Sequence, residues 1–241
     1  MRETICLVPG LLCDGIIWEH QRRTLTTHYD VMIPDLSRQS SIGQMAMDIL
    51  ANAPPRFSIA GHSMGARVAL DVVARAPERI LRIALLDTGV HPATAEEPRR
   101  RQELLDISAE AGMRALADRW LPPMVKDGAL MANPALRQKL YAMVERMSPQ
   151  IHKNQIRALL DRPDAHAQLS KIDCPVLIGV GEQDRWSPPA QHEAIAAAIP
   201  HARYVVFPES GHMAPIEAAE AVTEALQNWL NEPLQAWRRD I

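Results

Sequence analysis

The chain has 241 residues, 47% of them hydrophobic and 23% charged, which is ample for a globular domain with a real core. A net charge of −3 lacks the basic surplus that a phosphate backbone calls for, so a nucleic-acid partner is not expected. No apolar run reaches the roughly 18 residues of a membrane-spanning helix, no secretory leader is recognisable, and the scattered Cys6, Cys13 and Cys174 form neither a disulfide framework nor a zinc pattern, so a cytoplasmic location is expected.

Short apolar runs mark the strands. Residues 5–8 end at Pro9-Gly10, 31–33 at Pro34-Asp35, 57–60 at Gly61, and 82–86 at Asp87-Thr88-Gly89. Such continuous runs suit strands covered on both faces. Between them, residues 42–53 put Ile42, Met45, Ala46, Ile49 and Leu50 on one helical face, and 66–76 do the same with Val68, Ala69, Val72, Val73 and Ala76. Strand alternating with helix predicts an α/β fold with a mostly parallel sheet and right-handed crossovers.

After His91 the rhythm changes. Helical segments are expected over 99–111, 113–121, 134–147 and 150–161, broken by Pro122-Pro123 and Pro163. Pro134 sits in a first turn, where proline is tolerated. The sheet pattern then returns with a strand at 175–180, a helix at 191–199, a strand at 203–207, one long amphipathic helix at 214–230 and a polar tail at 233–241. A core of residues 1–90 and 172–241, interrupted by a helical insertion at 91–171, is the domain organisation this predicts.

One motif carries chemistry. Gly61-His62-Ser63-Met64-Gly65 is G-x-S-x-G, placed between a strand and a helix. The glycines permit a tight turn, which pushes Ser63 outward at the carboxyl end of the sheet, in front of a helix N-terminus that favours negative charge. A serine hydroxyl needs a base. His62 is its neighbour but cannot easily fold back onto it; His212, in the loop after the last strand, emerges at the same end of the sheet. The base in turn needs an orienting carboxylate. Asp184 follows a strong strand, with Asp87 and Glu182 as alternatives. An oxyanion hole needs two backbone N–H groups, for which Met64 and Leu11 are the candidates and Leu12 the substitute. The other histidines show no metal-ligand spacing, so no metal is expected.

Taken together, the chain resembles the α/β-hydrolase superfamily along nearly its whole length. The resemblance rests on Pro9-Gly10-Leu11-Leu12, on the motif at 61–65, on the helical insertion, on Gly181-Glu182-Gln183-Asp184 and on Gly211-His212, all in order. Ala76-Pro77-Glu78-Arg79-Ile80 adds to it. The resemblance is to small bacterial carboxylesterases, including a group of methyl esterases and enol-lactonases. It implies the α/β-hydrolase fold with about six strands, a helical cap and a triad in the order Ser63, Asp184, His212. It implies a serine hydrolase of the carboxylesterase type, without a cofactor, acting on a small-molecule ester. Thioesterase, lactonase, C–C hydrolase and perhydrolase chemistry share that constellation, as do relatives that sense a ligand and turn over slowly. Three departures stand out. Pro9-Gly10 replaces His-Gly, the loop at 35–41 lacks the usual glycines, and Ala66 replaces a third elbow glycine.

The cap is expected to set the substrate. Its stripe of Leu116, Leu121, Met124, Val125, Leu130, Met131, Met143 and Met147 suggests an adaptable wall for a largely apolar group, with Met124 and Met143 at the pocket. Aromatics make up only 4% of the chain, yet Trp18, Trp120 and Trp186 all fall on segments that should converge on the cleft. Arg99-Arg100-Arg101 reads as a solvated face, as does Arg38, and Cys13 as a packed residue.

Overall fold

The computed structural model describes residues 2–234. Six parallel strands form one sheet: β1 (Thr4–Val8), β2 (Asp30–Met32), β3 (Phe57–His62), β4 (Ile80–Leu86), β5 (Val176–Gly181) and β6 (Arg203–Phe207). Their spatial order is β2-β1-β3-β4-β5-β6, with every pair parallel. Every residue of β3 and β5 is buried, so both faces of the central strands are covered, as their continuous apolar sequences require. The reversal of order at β1 leaves the loops after β1 and β3 side by side at the carboxyl edge, where ligands of open α/β sheets gather.

Eleven helices surround the sheet among the described residues: α1 (Glu19–Leu25), α2 (Ile42–Asn52), α3 (Met64–Arg75), α4 (Glu97–Trp120), α5 (Ala129–Ala132), α6 (Pro134–Glu145), α7 (Pro149–Leu160), α8 (His166–Leu169), α9 (Pro189–Ala197), α10 (Ala214–Glu217) and α11 (Ala219–Leu230). Helix α2 packs on α3, and α3 on β3 and β4; α1 packs on α11, which lies against β5 and β6 with α9. Between β4 and β5 the regular structure is wholly helical, with α4 packing on α6 and α7. Although α4 runs for 24 residues, no described helix is long and apolar enough to cross a membrane.

Two local differences from the sequence reading have physical causes. The segments at 99–111 and 113–121 join into α4, bent at Gly112, whose φ of +83° a side chain would resist. The long helix expected at 214–230 breaks at Ala218, with non-helical φ −112° and ψ 49°. Buried Gln21 donates from Nε2 to the carbonyls of Pro215 and Ala219 across this break, at 2.9 and 3.1 Å. Helix α1 has no counterpart in the sequence reading. The polar tail expected at 233–241 lies beyond the described residues after 234.

Candidate active site

The strand β3 and helix α3 meet at Ser63, which has φ 55° and ψ −117°. A non-glycine residue held there costs about 1–3 kcal/mol, and such strain persists only where the surroundings impose it. Here they do. Ser63 N–H donates to the Leu86 carbonyl at 2.8 Å, and Thr88 Oγ1 donates to the Ser63 carbonyl at 2.9 Å. A Cβ at Gly61 would collide with the backbone of Gly65 and Ala66, and one at Gly65 with the carbonyls of Val8 and Pro9. Both glycines are therefore demanded by the turn.

The structure brings Ser63, His212 and Asp184 into one chain of hydrogen bonds. Ser63 Oγ lies 2.8 Å from His212 Nε2, and His212 Nδ1 lies 2.8 Å from Asp184 Oδ2. Asp184 Oδ1 accepts from the N–H groups of Trp186 and Ser187, both at 2.8 Å. Burial alone would raise the Asp184 carboxyl; the facing His212 and these donors hold it below the ordinary value. The alternatives sit elsewhere. Asp87 Oδ1 accepts from Gly181 N–H at 2.8 Å, its Oδ2 has no hydrogen-bond partner, and burial pushes its carboxyl well up. Glu182 accepts from Glu209 N–H. His62 does not reach Ser63; its Nε2 lies 2.7 Å from the His212 carbonyl, and burial lowers its imidazole to about 3. Neutral His62 thus donates that proton and fixes the main chain of His212.

Of the backbone donors, Leu12 N–H is taken by Gln155 Oε1 at 2.9 Å. Leu11 and Met64 both line the cavity that opens on Ser63. Among the described residues no protein group accepts from the N–H of either.

That cavity has a volume of about 510 Å³. Trp120, Met124 and Trp186 line it, as the sequence reading expects. Trp18 and Met143 do not, and this part of the expectation is corrected. Trp18 is fully buried with its ring edge-on to His62, and Met143 is fully buried among packed helices. Most of the stripe residues are likewise spent on packing: Leu116 and Leu121 are fully buried, while Met131 is exposed. Cys13 is buried, and burial raises its thiol, so it packs as expected. Arg38 is solvated and lies away from this cavity.

The basic triplet is not a solvated face throughout. Arg99 and Arg100 are exposed, but Arg101 is buried. Arg101 donates to Glu97 Oε1 from Nε at 2.8 Å and Nη2 at 2.6 Å, while Arg162 grips the same carboxylate at 2.8 and 2.7 Å. Burial would raise Glu97, but the guanidiniums of Arg162 and Arg101 hold it down to about 2. Arg67 joins this group without a carboxylate of its own; burial and the neighbouring Arg162 lower it to about 9. The sequence reading missed Arg67, Glu97 and Arg162 altogether. Among the described residues no three His, Cys, Asp or Glu side chains gather as a metal site.

Similarity to known proteins agrees with this layout. A profile described as "Alpha/beta hydrolase family" matches residues 7–225. The chain belongs to the alpha/beta hydrolase family. A pimeloyl-[acyl-carrier protein] methyl ester esterase of Xanthomonas oryzae is 26% identical to this hydrolase, over 94% of each chain. The enol-lactonase of Burkholderia xenovorans superposes with a TM-score of 0.88 at 25% identity, covering 96% of this chain and 92% of its own. A thermophilic esterase of Thermogutta terrifontis, solved with malate bound, gives a TM-score of 0.85 at 26% identity, covering 95% and 89%.

Proposed function

We propose that this hydrolase cleaves carboxylic esters through an acyl-enzyme on Ser63. The observation that carries the reading is the unbroken chain Ser63 Oγ–His212 Nε2, His212 Nδ1–Asp184 Oδ2, each link 2.8 Å, opening on a cavity. In this mechanism Ser63 Oγ attacks the ester carbonyl while its proton passes to His212 Nε2. Asp184 holds the imidazole in the tautomer that keeps Nε2 free, and stabilises the imidazolium that forms. The N–H groups of Leu11 and Met64 meet the oxyanion of the tetrahedral intermediate. His212 then protonates the departing alcohol, activates a water and regenerates Ser63 as the acid leaves.

The helical segment 91–171 acts in this reading as a cap over the sheet core. Leu11, Met64, Trp120, Met124 and Trp186 supply the apolar surface beside the reacting carbonyl. The unpaired cysteines, all buried, suit the reducing cytoplasm expected from the sequence. The test is turnover of a p-nitrophenyl ester series by wild type and by Ser63→Ala. The reading expects multiple turnovers with an optimum in acyl length, lost in the variant. A single acylation without release identifies a ligand sensor, and turnover that survives Ser63→Ala refutes the mechanism.

A further inference from the structure

The apolar patch accounts for only part of the cavity wall. Six arginines also line it (Arg67, Arg100, Arg101, Arg119, Arg162 and Arg185), against two carboxylates, Glu97 and Glu103. The three at the mouth are paired at the surface: Arg100 with Glu96, Arg119 with Glu103 and Arg185 with Asp127. Exposed pairs of this kind bind weakly and are screened by salt. The three deeper ones differ. Arg101 and Arg162 both hold the single carboxylate of Glu97, and Arg67 stands near it without an ion pair, so the interior group keeps an excess of positive charge.

These three cations do not all have the same freedom. Arg162 is saturated. Besides Glu97 its N–H groups reach the carbonyls of His91 at 3.1 Å, Leu159 at 2.6 Å and Pro92 at 3.1 Å, which engages all of its donors. Its role is to hold Glu97 and the loop after β4. Arg101 uses Nε and Nη2 on Glu97, and among the described residues no protein group accepts from its Nη1. Its guanidinium also stands 5.9 Å from the centre of the Trp186 ring, at the cavity wall. Arg67 donates one hydrogen bond, from Nη1 to the His91 carbonyl at 2.9 Å, and has no ion-pair partner among the described residues. A guanidinium with unspent donors at a cavity wall, in a group whose cations outnumber their carboxylates, is stabilised by an oxyanion that brings a further counter-charge.

We propose that the cavity binds esters carrying a carboxylate at the end remote from the scissile bond, with Arg101 as the principal clamp and Arg67 as its support. This rests on the ester-hydrolase reading above and specifies its substrate class. A guanidinium fork matches a carboxylate in plane and can hold it by paired hydrogen bonds. The remote contact holds the ester in register with Ser63, so that its binding free energy is available to orient the reacting carbonyl. The reaction is unchanged in its balance: water adds across the ester bond, and the carboxylate at the far end is only bound.

The test uses matched esters. On the acyl side, p-nitrophenyl hydrogen adipate is compared with p-nitrophenyl hexanoate; on the alcohol side, 6-acetoxyhexanoate with hexyl acetate. Wild type is expected to favour the carboxylate member of at least one pair by about tenfold or more in kcat/KM. That ratio should fall by about tenfold in Arg101→Gln and less in Arg101→Lys, which keeps the charge but loses the fork. Free adipate, titrated calorimetrically, should bind wild type, and inorganic phosphate should not displace it. Wild type that prefers the neutral member of both pairs overturns the proposal while leaving the ester reading intact, as does phosphate binding without adipate binding. Should none of the four esters turn over, the ester reading fails and the anion site stands or falls on adipate binding alone. The wild-type measurements decide the matter even if the Arg101 variants fold poorly.

Discussion

On the strand-end wall of the cavity, Ser63, His212 and Asp184 form a closed chain in which each polar atom has its partner. On the helical wall, Arg101 and Arg162 share one carboxylate, Glu97, and Arg67 beside them has no ion-pair partner among the described residues. The first arrangement is complete in itself and suits bond-breaking chemistry, which needs groups held in place before the substrate arrives. The second is incomplete, and an unbalanced set of largely desolvated cations is what a specificity surface needs in order to reward one kind of ligand. The wall that would do the chemistry in the proposed mechanism comes from tight turns after strands; the wall that would select comes from three separated stretches, α3, α4 and the loop after α7.

The widest separation between the walls should appear on removing the proposed nucleophile. Ser63→Ala is expected to lower kcat for any accepted ester by about 10⁶-fold, as followed by p-nitrophenolate release. Asp184→Asn should come next, with a loss approaching about 10⁴-fold in kcat at most. Asp87→Asn, at a neighbouring strand end but not hydrogen-bonded to His212, should retain activity within a few-fold. If Asp87→Asn were the more damaging of the two, the orienting acid would have to be reassigned.

On the helical wall the main effect should be on stability. Glu97→Gln leaves Arg101 and Arg162 facing each other without their shared counter-charge, and a loss of about 3 kcal/mol is expected in urea unfolding. The same pair predicts an acid response. Glu97 is ordinarily near 4.5 and is held down to about 2 in the fold, so its stabilisation is complete above the unfolded value and disappears as pH falls from 4.5 towards 2. The stability gap between wild type and Glu97→Gln should close over that range; a gap independent of pH would mean that Glu97 acts by packing.

The smallest expected effect belongs to Asp87. Its carboxyl is raised in the fold, so its contribution is fully present below the ordinary carboxylate range and declines as pH rises towards the raised value. Asp87→Asn should therefore gain on wild type in melting temperature as pH increases from about 4. A constant difference between the two would contradict a protonated Asp87.

The contrast between the walls also explains what the sequence makes legible. The β3–α3 turn is local: its glycines, its serine and the flanking strand and helix are contiguous, so Gly61-His62-Ser63-Met64-Gly65 reads directly. Asp184 and His212 are distant in sequence, yet each follows a strand of one parallel sheet, and parallel strands deliver their loops to the same edge. Arg101 has no such rule. It adjoins two exposed arginines, and its burial goes with a contact to Glu97, four residues earlier, that is shared with Arg162, 65 residues from Glu97. Trp18 illustrates the opposite case: its place after the first loop suggests the cleft, while the fold turns its ring beneath His62. Proximity to a functional loop in sequence does not decide which side of it a side chain faces.

The central claim is that Ser63, activated by His212 and Asp184, is the nucleophile. The most direct measurement is labelling of the intact protein with a fluorophosphonate, with the adduct located by peptide mass spectrometry. The account predicts one adduct per chain, on Ser63, formed far more slowly in Asp184→Asn and at the wild-type rate in Asp87→Asn. Labelling at another residue, or undiminished labelling of Ser63→Ala, would contradict it.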